Sequence, residues 1–85
     1  MHKIQILGIG CKKHKLLEAN LWEALEYLSV HVDIEQVTEV DEIVDYRISS
    51  IPALLIDGEP VFQGVAPGVE DLVHKLEQYM AEAAA

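Results

Sequence analysis

The segment Ile4-Gln5-Ile6-Leu7-Gly8-Ile9-Gly10-Cys11-Lys12-Lys13-His14 runs from a short apolar strand, through a tight turn, into the start of an amphipathic helix. Ile4 to Leu7 has the apolar, β-branched character of a strand, and the glycines on either side of Ile9 supply the turn. Leucines recur at helical spacing from Leu17 onward. Cys11 is thereby placed at a helix N-terminus, where unpaired backbone N–H groups and the macrodipole favour a negatively charged sulfur. It is the chain's one cysteine. One helical turn further on, where a second thiol would complete a dithiol pair, stands His14.

Working outward, the first helix is expected from about Cys11 to Ser29, with Leu17, Leu21, Ala24, Leu25 and Leu28 on one stripe. His14 projects onto the same side, and Trp22 sits at the stripe's edge, where it is expected to flank the core. Val30, Val32 and Ile34 alternate with His31, Asp33 and Glu35, the pattern of a half-exposed strand. Thr38-Glu39-Val40-Asp41 reads as a capping box opening a short helix to about Tyr46, with Val40, Ile43 and Val44 inward. Ser49-Ser50-Ile51-Pro52 ends that helix and forces Ile51 into extended backbone. Ala53 to Ile56 follows as a strand buried on two faces. Asp57-Gly58 is a hairpin signal, and Pro60 marks the returning strand Val61-Phe62-Gln63 as an edge. A last helix starts near Pro67-Gly68 with Val69, Leu72, Val73, Leu76 and Met80 inward, and the tail at 81–85 is expected to fray. The order β-α-β-α-β-β-α predicts one α/β domain over 1–85 with a four-stranded mixed sheet.

Eighty-five residues, 51% hydrophobic and 25% charged, describe a single small soluble domain. Residues 1–15 carry Lys3, Lys12, Lys13 and Lys15 and no acid. Residues 16–85 carry all fifteen acids against Arg47 and Lys75, so a +4 start sits on a −13 remainder and the total is −9. That balance argues against a nucleic-acid partner, which wants a basic face. The apolar run Ala53-Leu54-Leu55-Ile56 is far too short to cross a bilayer, and no membrane partner is expected. With a single cysteine no internal disulfide can form, which fits a reducing, cytoplasmic home. Lys12, Lys13 and Lys15 oppose the dipole of the helix they open, so something local is expected to want positive charge beside Cys11.

With these elements in place, the chain resembles the thioredoxin-like superfold. More narrowly, it is similar to the small thioredoxin- or glutaredoxin-like redox-active disulfide proteins of bacteria and archaea. The carriers are the segment Ile4 to His14, then Ser50-Ile51-Pro52-Ala53-Leu54-Leu55-Ile56-Asp57-Gly58, and Gly64. The resemblance covers Lys3 to about Tyr79 and implies that Pro52 follows a cis peptide bond and faces a nucleophilic Cys11. It further implies that Ile51 offers its backbone to an extended substrate and that Gly64 keeps the nearby surface open. The family's Cys-x-x-Cys pair is here Cys11-Lys12-Lys13-His14.

A thiolate at a helix start attacks an external disulfide or oxidises to a sulfenic acid. Without an internal resolving thiol, the mixed disulfide then waits for a second external thiol. His14 has three readings: a base or imidazolium partner of Cys11, a metal ligand beside it, or a residue filling the missing cysteine's space. Two ligands fall short of a tetrahedral site, and His2, His31 and His74 are scattered, so no metal and no other cofactor is expected. Gly8-Ile9-Gly10 is no dinucleotide loop, since Lys13 stands at its third glycine position. A metallochaperone would need a second cysteine and a β-α-β-β-α-β order. The expected function is thiol–disulfide exchange or thiol sensing through a single reactive thiol, as a possible monothiol oxidoreductase. Cys11 would be nucleophile, His14 its modulator and Ile51-Pro52 the substrate shelf. The partner class is a thiol- or disulfide-containing protein or a small thiol. The alternative is a non-catalytic module of the same fold that docks such a partner.

Overall fold

β1 (Lys3–Leu7) is the strand on which the rest is assembled. The computed structural model describes residues 2–84, with side chains for 2–79; Met1 and Ala85 lie outside the described residues. After β1 come α1 (Lys12–Leu28), β2 (Asp33–Val37), α2 (Val40–Asp45), β3 (Ala53–Ile56), β4 (Glu59–Gln63) and α3 (Val69–Ala84). The four strands lie in the order β2-β1-β3-β4. β2 runs parallel to β1, and β3 and β4 run antiparallel to their neighbours, so the sheet is mixed.

Alternation along the strands divides the core. Ile4 and Ile6 of β1 and Leu54 and Ile56 of β3 pack with Leu17, Leu21, Ala24 and Leu25 of α1 and Leu72 and Leu76 of α3. Leu7, Ala53 and Leu55 face the other way, onto Val37 and Ile43, with Tyr46, Ile48 and Ile51 against them. The sheet is thus a middle layer between α1–α3 and α2. Truncating one such buried leucine typically costs about 2–5 kcal/mol, against about 5–15 kcal/mol for a whole domain. A fold without any cross-link can stand on that packing. Gln5 is the polar exception on the α2 side, and it is satisfied: Nε2 donates to Glu35 Oε1 at 2.8 Å and to Tyr46 Oη at 2.7 Å. That Gln5 donor, with Lys3 beside it, holds the Glu35 carboxyl below its ordinary range.

Four expectations from the sequence are corrected. The second strand is Asp33–Val37 rather than the stretch from Val30, because its pairing begins opposite Lys3 of β1. Val30 is instead spent on ending α1: Ser29 turns left-handed (φ 55°), its N–H donates to Glu26 O, and Val30 N–H donates to Leu25 O. The N-cap of α2 is Glu39, not Thr38, and no side chain caps it. Val40 and Val44 are 62% and 67% exposed, and Ile43 alone of the three is buried, since so short a helix turns little of its surface inward. Trp22 is 54% exposed and lines an open groove with Leu25, Val30, Val32 and Ile34 instead of flanking the core. α3 extends through Ala84, and the expectation for the tail's last residue falls on Ala85, outside the described residues.

The hairpin is built as its sequence requires. Asp57 (φ 51°) and Gly58 (φ 85°) both occupy the left-handed region, the turn that matches strand twist. Beyond the turn Leu54 pairs with Phe62 and Leu55 with Pro60, so Val61 is bulged on the edge strand. Asp57 also staples this turn to β1: Oδ1 accepts the Lys3 N–H at 2.9 Å, Oδ2 meets His2 Nδ1 at 2.6 Å, and the Asp57 N–H donates to Lys3 O at 2.8 Å. The Lys3 amide first, and His2 second, hold the Asp57 carboxyl below its ordinary 3.8. A depressed carboxyl contributes stability above its unfolded value and loses it as pH falls through the folded one. Asp57→Asn, which tolerates the turn, is therefore expected to lower the neutral-pH Tm by about a few degrees, an exposed group contributing modestly. Thermal melts should show the difference shrinking as pH drops from just below 4. A gap that persisted unchanged there would assign the effect to the amide geometry and not the charge.

Candidate functional site

All four strands have one end at the same edge of the sheet. Leu7 pairs with Val37 and with Ala53, and Ala53 pairs with Gln63. The segments leaving those positions carry Gly8–Cys11, Ile51–Pro52 and Gly64. The sequence-predicted Cys11, His14, Ile51 and Pro52 are therefore brought to one edge by the register alone. The Gly8 N–H extends the ladder by donating to Val37 O at 3.2 Å.

Cys11 is the N-cap of α1, with extended backbone (φ −70°, ψ 176°), and its carbonyl accepts the Lys15 N–H at 3.0 Å. Its side chain makes no capping hydrogen bond and is exposed. The thiol therefore stands at the positive end of a helix of 17 residues whose first turn has no acid and contains Lys12, Lys13 and Lys15.

His14, in the first turn, is 3% exposed. Nδ1 accepts the Gly10 N–H at 3.1 Å, and Nε2 lies 3.3 Å from Gln36 Oε1 and 3.8 Å from Glu18 Oε2. Gln36 Nε2 in turn donates to Glu18 Oε2 at 2.8 Å. Both ring nitrogens are thus engaged, and neither with Cys11. Sequence reasoning missed Gln36 and Glu18. Parity would have found the first: Gln36 is the register partner of Ile6, whose side faces α1, and Glu18 lies one turn beyond His14. Among the described residues no group of three or more His, Cys, Asp or Glu is clustered to hold a metal ion.

The Ser49–Pro52 segment stands at the same end of the sheet. The Ile51–Pro52 peptide is cis, Pro52 is buried and Ile51 half-buried. Ser49 donates to Gln63 Oε1 through its N–H at 2.7 Å and its hydroxyl at 2.9 Å. Gly64 (φ 72°) donates its N–H to Pro52 O at 2.8 Å; its backbone favours glycine, and a Cβ there would displace the Ser50 hydroxyl. Around the same edge, Ile9 and Val65 are exposed apolar side chains.

Gly8 is constrained by space alone: a Cβ there would overlap His14 Nδ1. Gly8→Ala is expected to destabilise the chain by about 1–3 kcal/mol, the usual range for overpacking. The overlap disappears with the ring, so Gly8→Ala in a His14→Ala background should cost clearly less. Equal costs in a denaturant double-mutant cycle would show that the ring is not what excludes the methyl group.

Similarity to known proteins gives the family and the fold. A family model described as a thioredoxin domain matches residues 2–77. The chain is 35% identical over 72 residues to a thioredoxin of Methanothermobacter thermautotrophicus, covering 85% of this chain and 94% of that one. It is 34% identical over 77 residues to a thioredoxin of Methanocaldococcus jannaschii, covering 91% and 88%. In structure it is similar to thioredoxin-2 of the malaria parasite, with a TM-score of 0.68 at 10% identity over 92% of this chain and 82% of that one, a likeness of fold. The chain belongs to the thioredoxin domain family, whose chemistry is thiol–disulfide exchange.

Proposed function

We propose that this chain carries out thiol–disulfide exchange with one sulfur. The observation that carries the reading is an exposed Cys11 at the start of α1, at the end of the sheet that also carries Ile51 and Pro52, in a chain with no other cysteine. The Cys11 thiolate attacks one sulfur of an external disulfide; a new S–S bond forms to Cys11 and the partner's other sulfur leaves as thiolate. A second external thiolate then attacks the mixed disulfide, forming a disulfide with the bound partner and returning the Cys11 thiolate. Ile51 and Pro52 serve as the shelf for the extended partner. Lysines flanking the thiol draw anionic thiols or acidic segments to an otherwise acidic surface.

A Cys-x-x-Cys protein releases its mixed disulfide quickly because the second thiol is held at high effective concentration. His14 offers no sulfur, so release is bimolecular here. Incubation with glutathione disulfide is expected to yield a stable one-to-one adduct on Cys11 by intact mass, absent in Cys11→Ser. Reduction of a model protein disulfide should be slow in the natural chain, and about tenfold or more faster in His14→Cys once an internal thiol resolves the adduct. Robust turnover by the natural chain would sink the single-thiol cycle.

The second reading, a module that only docks a partner, is favoured by the inward engagement of His14 and by exposed Ile9 and Val65 at the same end of the sheet as Cys11. It makes no demand on sulfur reactivity. Alkylation of Cys11 by iodoacetamide at neutral pH is expected to outpace that of an unstructured cysteine peptide and to slow severalfold in Lys12→Glu/Lys13→Glu. A Cys11 no faster than the peptide, and indifferent to the lysines, would favour docking.

A further inference from the structure

Four groups form a chain of hydrogen bonds from α1 across to the loop that presents Cys11, and both of its ends have fixed polarity. At one end the Gly10 backbone N–H can only donate, so His14 Nδ1, at 3.1 Å, must carry a bare lone pair. At the other end the Glu18 carboxylate can only accept, so the Gln36 amide nitrogen points to it, at 2.8 Å, and its oxygen is left facing His14 Nε2. An oxygen facing Nε2 calls for a proton there. Every hydrogen in the chain is thereby placed: Nε2–H donates to Gln36 Oε1, and His14 is the neutral Nε2–H tautomer. The ring's one basic nitrogen is consumed by Gly10, the residue next to Cys11 in sequence.

We infer that His14 is a positioning residue: its Nδ1 lone pair pins the Gly10 amide, and with it the loop presenting Cys11, and protonation of the ring releases that pin. The inference rests on the reading of Cys11 as the reacting thiol only for its consequence on reactivity; the pin itself stands on geometry. A proton added at Nδ1 would set two donors face to face, ring N–H against Gly10 N–H, in a site 3% exposed. Loss of the acceptor then frees the amide to open to water, since Gly10 itself is exposed. Facing the ring are the Glu18 carboxylate from its own helix, 3.8 Å from Nε2, and the neutral Gln36 amide from β2. The loop after β1 faces it with Gly8 and the Gly10 amide, and the neighbouring Lys13 and Lys15 are exposed. Gly8 is part of the same device, since any side chain there would take the ring's place. Neither metal ligation nor proton abstraction from Cys11 is open to a ring so engaged, which selects among the three roles the sequence left to it.

The test reads the pin directly. Ring 15N shifts of His14 in the natural chain at neutral pH are expected to report the Nε2–H tautomer; an Nδ1–H tautomer or an imidazolium would overturn the inference. Hydrogen exchange at the Gly10 amide is expected to speed up roughly fivefold to tenfold in His14→Leu, the factor one hydrogen bond of ordinary net strength supplies. His14→Asn, whose amide oxygen can accept the same N–H, should recover most of the protection. Exchange at Ile6 and Leu54 reports in parallel whether each variant keeps its core. In the natural chain the protection of Gly10, corrected for intrinsic exchange, should fall as His14 takes up its proton, and in His14→Asn it should not follow that titration. Gly10 exchange that is unchanged in a folded His14→Leu, or blind to His14 protonation, refutes the pin. Cys11 alkylation measured on the same samples separates the two readings. An inert Cys11 with the expected tautomer and Gly10 protection would fail the exchange reaction while leaving the pin in place.

Discussion

Because β1 is hydrogen-bonded along both edges and covered on both faces, it cannot slip by one residue without trading one core for the other. Ile4 and Ile6 would turn toward α2, and Gln5 would be driven into the apolar packing of α1 and α3. That constraint sets the ends of its neighbours. Leu7 fixes Val37 on one side and Ala53 on the other, and Ala53 fixes Gln63. The site at this edge is then a product of register: four loops leave the sheet together because four strand ends are level.

The parts of this arrangement that were legible in the sequence are those with strong local codes. Ile4 to Cys11 reads as strand, turn and helix start, Asp57-Gly58 as a left-handed turn, and Pro60 as an edge residue, because each depends on backbone chemistry near at hand. Where the reading went astray, a local pattern was overridden by something distant. Val30 and Val32 alternate like a strand, yet Val30 ends α1 and the ladder waits for Lys3 of β1. Val40 and Val44 fall on the apolar side of a helix too short to bury them. In the site, Cys11 and His14 are visible as neighbours one turn apart. Gln36 is not, since its relation to His14 passes through a β-strand pairing, and Glu18, one turn from His14, joins the group only through Gln36.

Polarity at this edge is sorted by depth. Charged groups, the lysines of the first turn of α1, stay outside with the thiol. Beneath them the buried polar side chain, His14, is satisfied at both ring nitrogens, by the Gly10 amide and by the Gln36 amide oxygen. The nearest carboxylate, Glu18, sits at the far end of that chain, half-buried. Such a layering lets positive potential act on the sulfur from the solvent side without placing an uncompensated charge in the core.

A single exposed cysteine also lacks one link that a dithiol protein of this fold carries between its redox chemistry and its stability. An internal disulfide cross-links the chain, so it restricts the unfolded ensemble, and a thermodynamic cycle ties the stability of the fold to the ease of reduction. Here oxidation at Cys11, whether to a sulfenic acid or to a mixed disulfide, acts at the N-cap of α1 alone, and no loop of the chain is closed by it. The unfolded chain is as free with the sulfur oxidised as with it reduced. What couples chemistry at Cys11 to the stability of the fold is then only what an attached molecule touches on the folded chain, since anything held better by the folded state stabilises it.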